Sequence, residues 1–210
     1  STFIILTFNS IAIAAAASFI TVVLAVFLTF TTRYFGSRTI NATNRLAILG
    51  YAVPGAVIAI GILLLAKQVN QATGWIMTGS LSMLVLAYIV RFLAVAWQPI
   101  DSGMERNCEQ INNASRSLGV TAIQSLTNIN IPLLRNALVT AGLFVFVDTM
   151  KELPLTLILR PFNFETLSTK TFDLAQQAQI PESSVPALCI ILVSLLPLIW
   201  LNLQIRNTEK

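Results

Sequence analysis

The sequence contains no histidine and only two cysteines, Cys108 and Cys189, in 210 residues. Without histidine, neither a Ser-His-Asp triad nor a histidine-ligated metal site can be assembled. The two cysteines stand too far apart for a C-x-x-C or zinc spacing and read as packing residues. Charge is scarce as well: Asp, Glu, Lys and Arg make up 10% of the chain, against about 25% in soluble domains. No basic helix interleaved with aromatic residues occurs, so nucleic acid is not an expected partner, and the net charge of +4 is read as membrane topology. There is no internal repeat, low-complexity tract or glycine-rich phosphate loop, which excludes ATP chemistry by this chain itself, and no cofactor is expected. No basic stretch precedes the first apolar run, as a secretion signal would require. The chain opens on Ser1 instead of Met, which suggests a fragment, or a domain cut from a longer chain.

What is present is apolar surface. Hydrophobic residues are 55% of the chain and the mean hydropathy is +0.76. Charges delimit uncharged runs at 1–32, 46–66, 68–90 and 183–205, each longer than the ~20 residues a helix needs to cross hydrocarbon. A fifth run, 136–159, contains Asp148, Lys151 and Glu152. Backbone in lipid must satisfy itself, and nothing alternates like a barrel strand, so the runs predict an all-α membrane protein. The expected helices are Phe8–Thr32, Leu46–Ala66, Trp75–Trp97, Leu133–Leu157 and Val185–Leu203, in one domain spanning 1–210. Five crossings would leave Arg33, Arg38, Arg45, Arg106, Arg116, Arg135, Arg206 and Lys210 on one side, and only Lys67, Arg160 and Lys170 on the other. The positive-inside rule makes the richer side cytoplasmic, with the amino end outside, the carboxyl end inside and segment 98–132 in the cytoplasm.

Several features carry two readings at this stage. The run Ala12–Ser18 is either a close-packing face or apolar filler. The basic connector 33–45 suits a phospholipid surface. Pro54 and Gly55 lie inside the second expected helix, where a proline frees a carbonyl and bends the axis, giving either a hinge lining a path or a static kink. Arg91 falls near the cytoplasmic end of the third helix, as a snorkelling anchor or as a contact within a pair of subunits. Asp101, Glu105, Arg106 and Glu109 suggest a solvated helix with local ion pairs. In the fourth helix Asp148, Lys151 and Glu152 share a face, and Pro154 then breaks the helix. These charges form either a polar gate on a substrate path or a helix end snorkelling into headgroups. The segment 163–184 has the length of an amphipathic interfacial helix, anchored by Phe164, Leu167, Phe172 and Leu174.

The polar stretch 113–132, NASRSLGVTAIQSLTNINIP, lies between two apolar runs. Small residues at Ala114, Ser115 and Gly119 let a helix come close to a partner groove. Gly119 permits a bend, and Pro132 suits the first turn of a following membrane helix. The spacing resembles the cytoplasmic-loop signature of ABC-importer permeases, E-A-A-x3-G-x9-I-x-L-P. Ala114, Gly119, Ile129 and Pro132 match outright, Ser115 and Ile131 are close replacements, and Asn113 stands where that family has Glu. A second stretch, K-E-L-P-x-T-L-x-L-R-P-F-x-F-x-T-L from Lys151 to Leu167, resembles the permeases of bacterial ferric-iron importers, as does the Pro54-Gly55 pair.

The resemblance implies the transmembrane domain of a type I (MetI-like) ABC importer in the bacterial inner membrane. Its partners would be ABC ATPase subunits, a periplasmic solute-binding protein, a second permease half and membrane lipid. It implies that Asn113, Ala114, Ser115, Arg116, Gly119, Ile129 and Pro132 serve ATPase coupling. Asp148, Lys151, Glu152, Pro154, Pro54 and Gly55 are the candidates for a translocation path or gate. No bound metal is expected, since ferric ion wants oxygen donors and the carboxylates Asp148 and Glu152 flank a repelling Lys151. The implied cargo is ferric iron. Alternatives are the same importer class carrying thiamine, a polyamine, sulfate or another anion, or a secondary transporter or channel relaying ions through Asp148, Lys151 and Glu152. An enzyme is not expected.

Overall fold

The computed structural model describes residues 2–36, 42, 48–74, 76–107, 111, 114–115 and 117–208. In chain order these form α1 (Thr2–Phe35), a 3-10 turn (Ile48–Ala52), α2 (Gly55–Thr73) and α3 (Leu81–Asn107). A surface helix α4 (Ala122–Leu133) precedes α5 (Arg135–Lys151), and α6 (Pro154–Leu159), α7 (Leu167–Gln176) and α8 (Ile180–Thr208) follow. No strand occurs among the described residues. Helices α1, α2, α3 and α8 are long and apolar enough to cross a bilayer, and α4 with α5 passes the same test as a pair bent by 77°, giving four spans or five.

The core is the triangle of α1, α3 and α5, which pack most extensively on one another. Alanines make the close approach possible: Ala14, Ala17 and Ala25 of α1, Ala87 and Ala96 of α3 and Ala141 of α5 are wholly buried. Only part of the run Ala12–Ser18 packs. Ala14, Ala17 and Ser18 face inward, with Ser18 Oγ donating to the Gly142 carbonyl of α5 at 2.6 Å, while Ala12, Ala15 and Ala16 are exposed. Helix α8 is held by α7 and α5 and turns Leu188, Leu192 and Leu196 outward, the composition of a lipid-facing surface.

Several expectations are corrected. The second helix does not run through Pro54: it begins after it, at Gly55, with Pro54 in extended backbone (ψ 137°) as its cap. Proline at a helix entry loses nothing, because its missing N–H would have had no partner there. The third helix runs past Trp97 and through Pro99 to Asn107. Asp101 and Glu105 therefore lie on its last turns and pair with Arg33 of α1, at 2.8 and 3.6 Å, instead of forming local pairs in a separate loop helix. Arg91 is displaced from the end to the middle of its helix, about 15 Å from Leu81. The fourth expected helix, Leu133–Leu157, is three pieces. A bend at Leu134 separates α4 from α5, and the non-helical pair Glu152–Leu153 separates α5 from α6. Of the four expected anchors of the 163–184 segment, Leu167 packs into the bundle: it is wholly buried and its N–H donates to Ser10 Oγ of α1 at 2.7 Å. The connector 37–47, apart from residue 42, lies outside the described residues, as do Cys108, Glu109 and Lys210.

Candidate functional site

Two polar regions interrupt the apolar bundle. The first is the elbow around Gly119. Gly119 adopts φ +76°, a left-handed conformation that costs a side-chain-bearing residue strain. Around it the Val120 N–H donates to the Ser115 carbonyl at 3.0 Å and the Leu118 N–H to Ala114 at 3.1 Å, the bonding that closes a helix on a glycine. Two residues on, Thr121 opens α4 with a reciprocal cap: its Oγ1 accepts from the Gln124 N–H at 3.4 Å, and Gln124 Oε1 accepts from the Thr121 N–H at 3.2 Å. The glycine stop and the threonine start fold 117–124 into a tight corner with Leu118 and Ile123 thrust outward, 82% and 74% exposed. Ala114 is exposed, Ser115 is buried and Ile129 is half-buried. Pro132 sits in the last turn of α4, ahead of the bend at Leu134, and not in the first turn of the membrane helix. Asn113 and Arg116 lie outside the described residues.

Within α4, Ser125–Asn130 is a π-helical turn. Its widened ring is filled by the Asn130 amide, which donates to the Ser125 carbonyl at 2.8 Å. Such turns interrupt the regular ladder and re-aim the residues that follow.

The second region surrounds the break at Glu152. Pro154 has no N–H to continue α5 and instead starts α6. The freed Glu152 carbonyl accepts from Thr156 Oγ1 at 2.8 Å and from Ser168 Oγ at 3.1 Å, so hydroxyls of α6 and α7 do the work of the missing ladder. The Glu152 carboxylate is buried. Oε2 accepts from Arg91 Nε at 3.2 Å, and Oε1 accepts from the Leu155 N–H at 3.3 Å. Arg91 Nη1 also donates to the Val53 carbonyl, just before Pro54, at 2.6 Å. A Cβ placed on Gly55 would stand 2.6 Å from Glu152 Oε1. One turn back on α5, Asp148 pairs with Lys151 at 2.7 Å, with Lys151 64% exposed and Asp148 only 16%. Tyr88 of α3 shares a 2.6 Å hydrogen bond with Thr156, tying α3 to α6.

A cleft of about 1240 Å³ lies between the two regions. It runs between α3 and α5, from Leu133 and Leu134 at the bend to Asp148, with Tyr51, Gln98, Asn136 and Thr140 as polar lining and Trp97 and Phe144 as apolar walls. Of the six residues singled out in the sequence for a path, Asp148 lines this cleft. Glu152 and Gly55 are folded into the ion pair behind it, Pro54 and Pro154 begin the helices on either side, and Lys151 is exposed beside it. Sequence reasoning missed the role of Arg91. The signal was there, since Arg91 is a cation inside an apolar run and the Asp148–Lys151 pair leaves the Glu152 carboxylate as its counter-charge, and such groups cost least when they neutralise each other.

The sequence of this bundle matches a known family. The model of the binding-protein-dependent transport system inner membrane component fits residues 21–210. The chain belongs to that family. It is accordingly a multi-pass inner-membrane permease domain of the MetI-like type. Among its relatives is an Fe(3+)-transport system permease protein of Haemophilus influenzae, 27% identical over 194 residues, which cover 92% of this chain and 38% of the relative. Another is the permease protein PhnV of Salmonella typhimurium, named provisionally for 2-aminoethylphosphonate transport, 26% identical over 195 residues, covering 93% and 71%. A ferric transport system permease protein of Actinobacillus pleuropneumoniae is 24% identical over 193 residues, covering 86% of this chain and 28% of the relative.

Proposed function

We propose that this chain is a non-catalytic transmembrane subunit of an ATP-binding-cassette importer. Separate ATPase subunits would seat on the elbow at 113–132, and a periplasmic binding protein would deliver cargo at the opposite face. In this reading the amino end is outside, the carboxyl end is cytoplasmic, and a second permease half closes the cleft into a path. The observation that carries the proposal is the continuity of the cleft. It begins at the bend where the elbow helix joins α5 and ends at Asp148, so force applied to the elbow is delivered to the wall of the path. Nucleotide-driven closure of the ATPases then shifts the population between outward-open and inward-open arrangements.

The cargo favoured by the Lys151–Leu167 stretch and by the iron-named relatives is ferric iron. A second reading, an anionic cargo, is favoured by the PhnV relative. The test is reconstitution with the cognate ATPase and binding protein. Gly119→Asp, which puts a charged side chain on the docking corner, inserts normally but loses ATPase co-purification and uptake. Normal co-purification removes the coupling role of the elbow. Uptake of labelled ferric iron against labelled 2-aminoethylphosphonate decides the cargo.

A further inference from the structure

Three chain segments change direction within reach of one guanidinium. The 3-10 turn ends and α2 begins at Val53–Gly55, where the Val53 carbonyl accepts from Arg91 Nη1 at 2.6 Å. Helix α5 ends at Glu152, whose Oε2 accepts from Arg91 Nε at 3.2 Å. Helix α6 begins beside them, with the Leu155 N–H on the other carboxylate oxygen at 3.3 Å. Both side chains are largely shielded, 19% and 9% exposed, and Arg91 is about 15 Å from the Leu81 end of α3, half the depth of a hydrocarbon core of about 30 Å.

Stability does not explain such a pair, because packed apolar side chains of similar volume often do as well or better. What a buried ion pair adds is register: it permits one arrangement of parts that apolar contacts alone would let slide. The parts here are two chain breaks, and element ends are where hinge motions are absorbed.

We propose that Arg91 is a positioning residue of the transport cycle: by holding Glu152 it latches the start of α2 to the α5–α6 break, and this latch keeps the resting permease from triggering ATP hydrolysis. The inference rests on the reading of the chain as an ATPase-driven permease. Latch release frees α2 and α6 to move relative to α3, and Gly55, where an added Cβ would stand 2.6 Å from Glu152 Oε1, brings the start of α2 close against the carboxylate.

The experiment uses the full transporter in proteoliposomes with its ATPase and binding protein, comparing wild type with Arg91→Lys and with the double variant Arg91→Met, Glu152→Met. Both variants keep the buried charge balanced. ATP hydrolysis without binding protein is expected to rise about tenfold in the double variant, within the usual range of allosteric coupling, at wild-type levels of assembled complex, with uptake per ATP falling in step. Arg91→Lys, which retains the charge but not the two-pronged grip, is expected to lie between. A merely structural role would lower basal and stimulated hydrolysis together, in proportion to assembled complex. That result overturns the proposal, as does wild-type coupling in the double variant. If neither variant assembles, the pair serves the fold alone and the proposal falls. A wild-type complex whose hydrolysis never responds to binding protein sinks the permease reading itself, a result separable from all of these.

Discussion

Two glycines on α2 show how differently one residue type is used. Gly55 is pressed against Glu152 Oε1 and the Arg91 guanidinium, while Gly61 meets nothing within 4 Å of where a Cβ would be. Gly55→Ala is therefore an overpacking change at a buried charge and is expected to cost about 1–3 kcal/mol. Gly61→Ala, in mid-helix with open space, is expected to gain about 0.5–1 kcal/mol. Thermal midpoints of the two variants in the same detergent check the pair, and opposite shifts are the expected result. At Gly119 the constraint is of a third kind, because there is room around it but φ is +76°. The side-chain hydroxyls do the quieter work at this scale. Thr156 and Ser168 supply the donors that the chain loses at Glu152, so a break deep in the bundle leaves its carbonyl satisfied.

Among the elements, α4 and α7 open on threonine caps, while prolines stand at the starts of α2 and α6. The Thr121–Gln124 box is the only side-chain cap at the elbow among the described residues. Thr121→Ala is expected to weaken the first turn of α4 by about 1 kcal/mol. Faster hydrogen exchange at the Ala122–Gln124 amides, with α5 unchanged, is the check. Legibility from sequence also divides at this scale. The existence of the apolar helices could be read from the charge-free runs, because hydrocarbon thickness sets their length. The elbow could be read from its spacing. Their ends could not. Pro54 and Pro154 were visible, but a proline has the same appearance whether it kinks a helix or opens one, and only the packing of Val53 and Glu152 around Arg91 decides it. The bend at Leu134 was signalled by Pro132 but read two residues early, because a proline tolerated in the last turn of α4 looks the same as one opening the next helix. The burial of Leu167 depends on a partner, Ser10, that lies 157 positions away in the chain.

At the scale of the whole molecule, the bundle has two ends of different character. One end carries the elbow and the Arg33–Asp101–Glu105 cluster. The other carries Arg160, paired with Glu165 and Asp173, and the turn at Phe162, which is 96% exposed. The proposed topology makes these opposite faces of the membrane. A single cysteine at position 162 should react with an impermeant maleimide added outside intact spheroplasts, and one at position 118 only after the membrane is opened. The reverse pattern would invert the molecule and remove the coupling proposal with it. The cleft lies between these ends and is open along one side, with Leu198 of α8 at its margin. The outward leucines of α8 complete a surface that hydrocarbon or a second permease half can cover.

The contact between Gly55 and the Arg91–Glu152 pair has an evolutionary corollary. Three positions far apart in the chain share one small volume and one charge balance, so none of them is free to drift alone. Homologous permeases that replace the acid at position 152 should also have lost the base at position 91, and only in those lineages should residues bulkier than glycine become acceptable at position 55.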